Sequence, residues 1–327
     1  MEIRMTQDTP EVLLTLDDSN LLKGFAACFV ILSHAVYAAQ AKGLLQAGIF
    51  TLITQLGGIG VLIFFFLSGY GIYKGYGERK PGPGFFEKRI RNIVVPVISI
   101  KVFLYFVMAA SGRKFNLQEI LVSFQSEWFA AIILIEYVLF CVSWIAVKTE
   151  YTRNKIICDT LLNICLIAVF VCLHTDPKWY NGVLLFPAGM LAAKYERQLI
   201  GGCGHRWGTS LGICTSLFAL CSLCFVVYKG VWWSNIFKTG AGIALGLLFC
   251  IIFMKIRFHF VILNYIGKRS LYYYVIHVNL VAVLKMDFVT QFMGILLYTV
   301  ILSELFYRMT AKFFWAKSKN KVSERKI

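Results

Sequence analysis

The first apolar run of this chain carries a lysine and a histidine, which can hold an anion and move a proton. Residues 21–41 read LLKGFAACFVILSHAVYAAQA, long enough to cross a bilayer. Lys23 and His34 are 11 residues apart, so at about 100° per residue they leave the same helix face. A rise of about 1.5 Å per residue separates them by ~16 Å, one near a membrane surface and one near mid-bilayer. This stripe predicts a buried site reached from one side of a membrane.

His34 is the predicted catalytic residue. A neutral imidazole at this depth can accept a proton from a hydroxyl or amine that attacks an acyl donor. A structural histidine is the alternative, but ionisable groups are rare in lipid and are mostly functional there. A second histidine, His277, follows Ser270 by seven residues in GKRSLYYYVIH, which places both on one helix face. For that pair, packing and function are both open.

Further polar residues lie inside apolar runs. Glu136 and Glu304 are membrane acids, and either can orient a histidine or pair with a lysine. The segment 57–77 is rich in small residues that allow close helix contact, and Ser68 within it can bond to a carbonyl one turn back. Glu136, Ser68, Ser270 and His277 are therefore additional site candidates.

The segment 74–92 is strongly basic. Lys88, Arg89 and Arg91 precede the third apolar run and can bind the phosphates of a CoA thioester through charge-assisted hydrogen bonds. The alternative is a stop-transfer anchor that contacts lipid headgroups.

The composition is that of an integral membrane protein. Of 327 residues, 58% are hydrophobic and 15% are charged, against about 25% charged in soluble domains. Mean hydropathy is +0.70. We predict an all-α polytopic membrane helix bundle of about ten transmembrane helices. The predicted spans are 21–41, 49–73, 93–111, 126–147, 157–173, 182–194, 208–228, 235–254, 261–283 and 288–311.

Charge predicts the topology. Most of the formal net charge of +16 falls in alternate loops and in the C-terminal tail, which by the positive-inside rule places both termini in the cytoplasm. The predicted parts are a cytoplasmic segment 1–20, a transmembrane domain 21–311 and a basic tail 312–327. The acidic first twenty residues lack a basic n-region, so no removable signal peptide is expected. The charge indicates contact with anionic lipids and not nucleic acid.

The ten cysteines do not predict a disulfide framework, because most lie in apolar runs where they act as small hydrophobes. Cys221 and Cys224 have CxxC spacing, but no second Cys or His pair accompanies them. Packing is favoured over metal binding, and no metal is expected.

Several segments follow the first helix in a fixed order: FFFLSGYGI at 64–72, FFEKRIRNIVVPV at 85–97, EWFAAIILIEYVLF at 127–140 and NYIGKRSLYYYVIH at 264–277. Together they resemble the membrane acyltransferase-3 family of bacterial multi-pass acyltransferases, from about residue 17 to about residue 311. His34 takes the histidine place of the family's first-helix signature, and Lys23 takes its basic place, which is commonly Arg. Arg89 takes the first arginine place of the third-helix motif, and Asn92 stands at the second.

The resemblance implies transfer of an acyl group, often acetyl, from a cytosolic acyl-CoA to a hydroxyl of a carbohydrate or other envelope molecule at the cell membrane. It implies that Lys23, Lys88, Arg89 and Arg91 hold the CoA and that His34 is the general base. An acceptor pocket is to be formed by loop and upper-helix residues, and four aromatic residues are candidates for it, although an interfacial aromatic belt is the favoured role for them. These are Trp179, Tyr180, Trp232 and Trp233.

Two other classes of function compete. A small-solute or proton-coupled transporter would also use intramembrane histidines, acids and an interrupted helix such as the Pro187 region. A lipid-organising membrane protein would tolerate substitution of Lys23 and His34.

Overall fold

The structure is a computed structural model that describes residues 2–5, 11–46, 48–110, 112, 127–231, 233–283 and 288–324. Several sequence predictions fall outside this part of the chain. They concern the acceptor-pocket candidate Trp232, the span ends at 111 and 126, the residues 284–287 between the last two predicted spans, and the last residues of the tail, 325–327.

The described chain is helical apart from one two-stranded ribbon. Strand β1 (Glu2–Met5) pairs antiparallel with β2 (Ile256–His259), with Glu2 opposite His259 and Met5 opposite Ile256. The helices are α1 (Leu16–Ala41), α2 (Ile49–Tyr76), α3 (Pro83–Arg89), α4 (Val95–Ala110), α5 (Trp128–Ala146), α6 (Thr152–Cys172), α7 (Leu185–Lys194), α8 (Glu196–His205), α9 (Trp207–Val227), α10 (Ser234–Lys255), α11 (Val261–Lys268), α12 (Ser270–Val283) and α13 (Phe288–Glu324). A π-helical turn, Ile90–Val94, joins α3 to α4, and Pro177–Trp179 form a 3₁₀ turn.

The prediction of an all-α membrane bundle is confirmed. Eight of the described helical segments are long and apolar enough to cross a membrane. The predicted span 182–194 contains the ten-residue helix α7, whose length of about 15 Å is half the hydrocarbon thickness. The predicted span 261–283 contains two shorter helices, α11 and α12, which meet at Arg269.

Helix α1 begins five residues before the predicted start because a capping box fixes its first turn. The Oγ1 of Thr15 accepts the backbone N–H of Asp18 at 3.2 Å, and the Asp18 carboxylate accepts the backbone N–H of Thr15 at 2.9 Å. These reciprocal bonds satisfy donors that a helix start leaves open. Arg257 of β2 also pairs with Asp18. The cap therefore ties the start of α1 to the ribbon.

The described chain forms two compact units. The first unit comprises Met1–Ala26, Gly58–Phe85 and Trp128–Gly267, and the second comprises Ala27–Gly57, Phe86–Glu127 and Lys268–Ile327. In the first unit, Phe85 and Phe140 stack at 5.8 Å between ring centroids, within a buried cluster that includes Trp144, Phe186 and Met190. In the second unit, α12 packs on α13 and α4.

Glycine allows two elements of the first unit to approach closely. A Cβ built on Gly69 of α2 would lie 1.9 Å from the carbonyl oxygen of Phe186 on α7. That atom belongs to the backbone and cannot rotate away. Two positions along the same helix, a Cβ on Gly71 would meet no described atom within 4 Å.

We expect Gly69→Ala to lower the free energy of unfolding by about 1–3 kcal/mol, because overpacking forces the backbone to shift. The matched variant Gly71→Ala should be neutral or slightly stabilising, because alanine is the better helix former by about 1 kcal/mol. Thermal unfolding of the detergent-purified proteins measures both. Equal melting temperatures for the two variants would contradict the close contact.

Candidate active site

Two histidines meet inside the second unit. His34 of α1 and His277 of α12 have ring centroids 5.1 Å apart, and His34 Nδ1 lies 3.1 Å from His277 Nε2. His277 is completely buried, whereas His34 is half-buried. The structure therefore brings together two residues that the sequence proposed separately.

One backbone contact determines which ring nitrogens of this histidine pair carry a hydrogen. His277 Nδ1 lies 2.8 Å from the carbonyl oxygen of Tyr273, one turn earlier in α12. A carbonyl oxygen can only accept, so Nδ1 of His277 carries the hydrogen, and a neutral ring then presents a lone pair at Nε2. His34 must donate from Nδ1 to that lone pair. Consequently, the Nε2 of a neutral His34 is a proton acceptor.

The ring of His277 is held by its neighbours in α12. Tyr274 and His277 form a T-shaped ring pair with centroids 5.8 Å apart, and the bond to the Tyr273 carbonyl oxygen also holds the ring. Ser270 is the first residue of this helix, two turns before His277, and is half-buried. The seven-residue spacing thus places Ser270 on the histidine face but toward the helix start.

A buried ionic network lies in the same unit. The ammonium of Lys101 on α4 lies 3.0 Å from Glu127 Oε1 and 3.0 Å from Asn279 Oδ1. Asn279 Nδ2 donates to the same carboxylate oxygen at 3.1 Å. The three side chains therefore form a closed ring of hydrogen bonds, with Lys101 only 1% exposed. A charge buried this deeply requires such partners.

This network was not predicted from the sequence, although Lys101, like His34, is an ionisable residue within an apolar run. Lys101 lies within a predicted span, and an ionisable residue there marks a site or a buried pair. Asn279, two residues after His277, joins it to α12. Their partnership depends on helix packing that spacing along the chain does not reveal.

Three of the basic residues that are expected to bind CoA lie around the π-helical turn. Arg89 ends α3, and Arg91 lies within Ile90–Val94, where the N–H of Val95 donates to the carbonyl of Ile90 five residues earlier. Arg91 Nε donates to Asn92 Oδ1 at 3.4 Å. Lys88 is exposed, and both arginines are half-buried. Single π turns are frequent at functional sites.

The remaining candidates lie in the first unit. Lys23 is half-buried on α1, and it forms no hydrogen bond or ion pair with a described residue. Ser68 is half-buried in α2. Glu136 is completely buried in α5, beside Asp159 and Asn163 of α6. The structure therefore does not place Glu136 in the unit that contains the two histidines.

The other membrane acid, Glu304, pairs with arginines. Arg269 Nε lies 2.8 Å from Glu304 Oε2, and Arg308 binds the other oxygen one turn along α13. The Arg269 guanidinium also stacks over the Tyr307 ring, 4.2 Å from its centroid. Glu304 thus holds Arg269, the residue that precedes α12.

The cysteines and the possible metal ligands form neither a disulfide nor a metal site in the described part of the chain. All ten cysteines have free thiols. Within the described ranges, no group of three or more His, Cys, Asp or Glu side chains could hold a metal ion.

Eight candidate spans make this a multi-pass membrane protein, and it contains a pair of contacting histidines. A family model described as an acyltransferase domain matches residues 16–308, and the chain belongs to the acyltransferase-3 family. It is therefore a membrane acyltransferase. No curated protein matches the chain, and no solved structure matches it.

We expect Lys101→Met to lower the free energy of unfolding by about 3–5 kcal/mol, because it removes the ammonium from the buried carboxylate of Glu127. The double variant Lys101→Met/Glu127→Gln should recover part of this loss, because no charge then remains at the pair. Unfolding in detergent, followed by circular dichroism, measures the cycle. Lys229→Met, at an exposed lysine, is the control. Strictly additive effects of Lys101→Met and Glu127→Gln would contradict a coupled pair.

Proposed function

We propose that this acyltransferase moves an acyl group, most simply acetyl, from a cytosolic acyl-CoA to a hydroxyl of a carbohydrate or other envelope molecule. His34 is the general base. The proposal rests on the bond between His34 Nδ1 and His277 Nε2 at 3.1 Å, which leaves the second nitrogen of His34 to accept a proton. The half-buried position of His34 supports access by a substrate.

In the proposed step, His34 Nε2 takes the proton of the acceptor hydroxyl as its oxygen attacks the thioester carbonyl carbon. A carbon–oxygen bond forms and the carbon–sulfur bond breaks. The CoA thiolate leaves and takes the proton from the imidazolium, which returns His34 to its neutral form. His277 is a positioning residue in this scheme, because it holds the His34 ring and its tautomer.

In this proposal the acyl-CoA is bound by four basic residues, Lys23, Lys88, Arg89 and Arg91. A CoA carries phosphate groups, and arginine binds phosphate through two parallel hydrogen bonds while lysine supplies a point charge. The basic loops of the chain favour the cytosolic face for these residues and the cell membrane as the location. Membrane lipids surround the bundle, and the acceptor approaches from the envelope side.

We expect His34→Ala to lower kcat by about 10²- to 10⁴-fold, the usual contribution of a general base. His277→Phe should lower kcat less, because His34 keeps its acceptor nitrogen but loses the bond that orients it. His277→Gln should recover part of that loss, because its amide oxygen can accept from His34 Nδ1. Acyl transfer from radiolabelled acetyl-CoA by purified protein, with membrane extract as acceptor, measures all three.

His205→Ala is the matched control, since His205 is exposed at the end of α8. It should retain full activity. A folded His34→Ala protein that binds CoA and transfers acetyl at the wild-type rate would overturn the assignment of the base. Equal rates for His277→Phe and His277→Gln would count against the positioning role.

A further inference from the structure

A polar cavity of about 640 Å³ lies wholly within the first unit. It is lined by the end of α2, the turn that follows it, the end of α7 and the start of α8. We infer that this cavity is a binding site for a phosphate-bearing ligand. Its volume is in the range of small-molecule sites, about 300–1,000 Å³.

The charges of the lining carry the inference. Four basic side chains and two acidic ones face this space, so the cavity holds two net positive charges. The basic side chains are Lys74, Arg79, Lys194 and Arg197, and the acidic ones are Glu78 and Glu196. Two arginines with planar, five-donor guanidinium groups suit a phosphate, which offers several acceptor oxygens. An apolar acyl chain would find little apolar surface here.

One of the two acids is neutralised within the wall. Lys74 Nζ lies 2.7 Å from Glu196 Oε2, and the backbone N–H of Leu13 donates to Oε1 at 2.7 Å. The hydroxyl of Tyr70 donates to Oε1 as well. Glu196 is buried and held by three donors, and the ammonium of Lys74 balances its charge.

The remaining cations are placed to receive a ligand. Arg79 and Arg197 are exposed, and neither guanidinium forms a hydrogen bond or ion pair with a residue in the described ranges. Lys194 donates to Thr152 Oγ1 at 2.8 Å, which fixes its ammonium at the cavity wall. A phosphate here would therefore meet two accessible arginines without first breaking an ion pair.

Two sources can supply such a phosphate. One is the nucleotide end of the acyl-CoA, and this source rests on the proposed function. The other is the headgroup of an anionic lipid, because the cavity lies at the end of the candidate span Phe50–Tyr76, where headgroups are found. Both present the same chemistry to the arginines, and the experiment separates them.

The test compares the full chain with Arg79→Gln/Arg197→Gln. The first arm measures affinity for adenosine 3′,5′-bisphosphate by calorimetry, and the second measures enrichment of phosphatidylglycerol over phosphatidylcholine by native mass spectrometry. For the probe that the cavity binds, we expect the variant to bind at least about tenfold more weakly than the full chain. The reason is that the substitutions remove two charge-assisted hydrogen-bond donors. A loss in the first arm identifies the acyl donor, and a loss only in the second identifies a lipid.

Lys148→Gln/Arg206→Gln is the matched control, since it removes the same charge from two exposed residues outside the cavity and should bind as the wild type does. The inference is overturned if the wild type binds neither probe, or if the cavity variant binds both as tightly as the wild type. His34→Ala separates this outcome from failure of the proposed function. That variant should bind the nucleotide normally even though it transfers acyl groups about 10²- to 10⁴-fold more slowly.

Discussion

The bond between His277 and the carbonyl of Tyr273 determines what the proposed site can do. It is a local contact within one turn of α12, 2.8 Å long, yet it sets the hydrogen on Nδ1 and therefore the lone pair on Nε2. The lone pair requires His34 to donate from Nδ1, and this leaves Nε2 of a neutral His34 as the acceptor nitrogen. A backbone oxygen, which cannot change its role, thus sets the tautomers of two side chains.

Buried charge constrains the rest of the bundle in a similar way. An ion removed from water is costly unless a partner and hydrogen bonds replace its hydration. In the second unit, Lys101 meets Glu127 and Asn279, and in the first, Glu196 meets Lys74 and two further donors. Each cluster joins segments that are far apart in the chain. These contacts specify which helix faces meet, in addition to any stability they provide.

Sequence alone predicted the membrane class and the family, because apolar runs and ordered motifs are local properties of the chain. It placed the start of α1 too late, since the Thr15–Asp18 cap lies before the apolar run. It proposed His34 and His277 separately. Their contact, like the ring of Lys101 with Glu127 and Asn279, depends on how helices rotate against each other, and this rotation is set by packing that no spacing rule encodes. The π-helical turn Ile90–Val94, which contains Arg91, was also not predicted from the sequence.

The pairing of the histidines also limits where the proposed reaction can occur. The two ring nitrogens of an imidazole point in widely different directions, and His277 occupies the Nδ1 side of His34. The hydroxyl that is to lose its proton must therefore approach the opposite edge of the ring. Because His277 is completely buried and His34 is not, that edge belongs to the more accessible partner. The thioester carbonyl must reach the same edge, so donor and acceptor meet at His34 and not between the two rings.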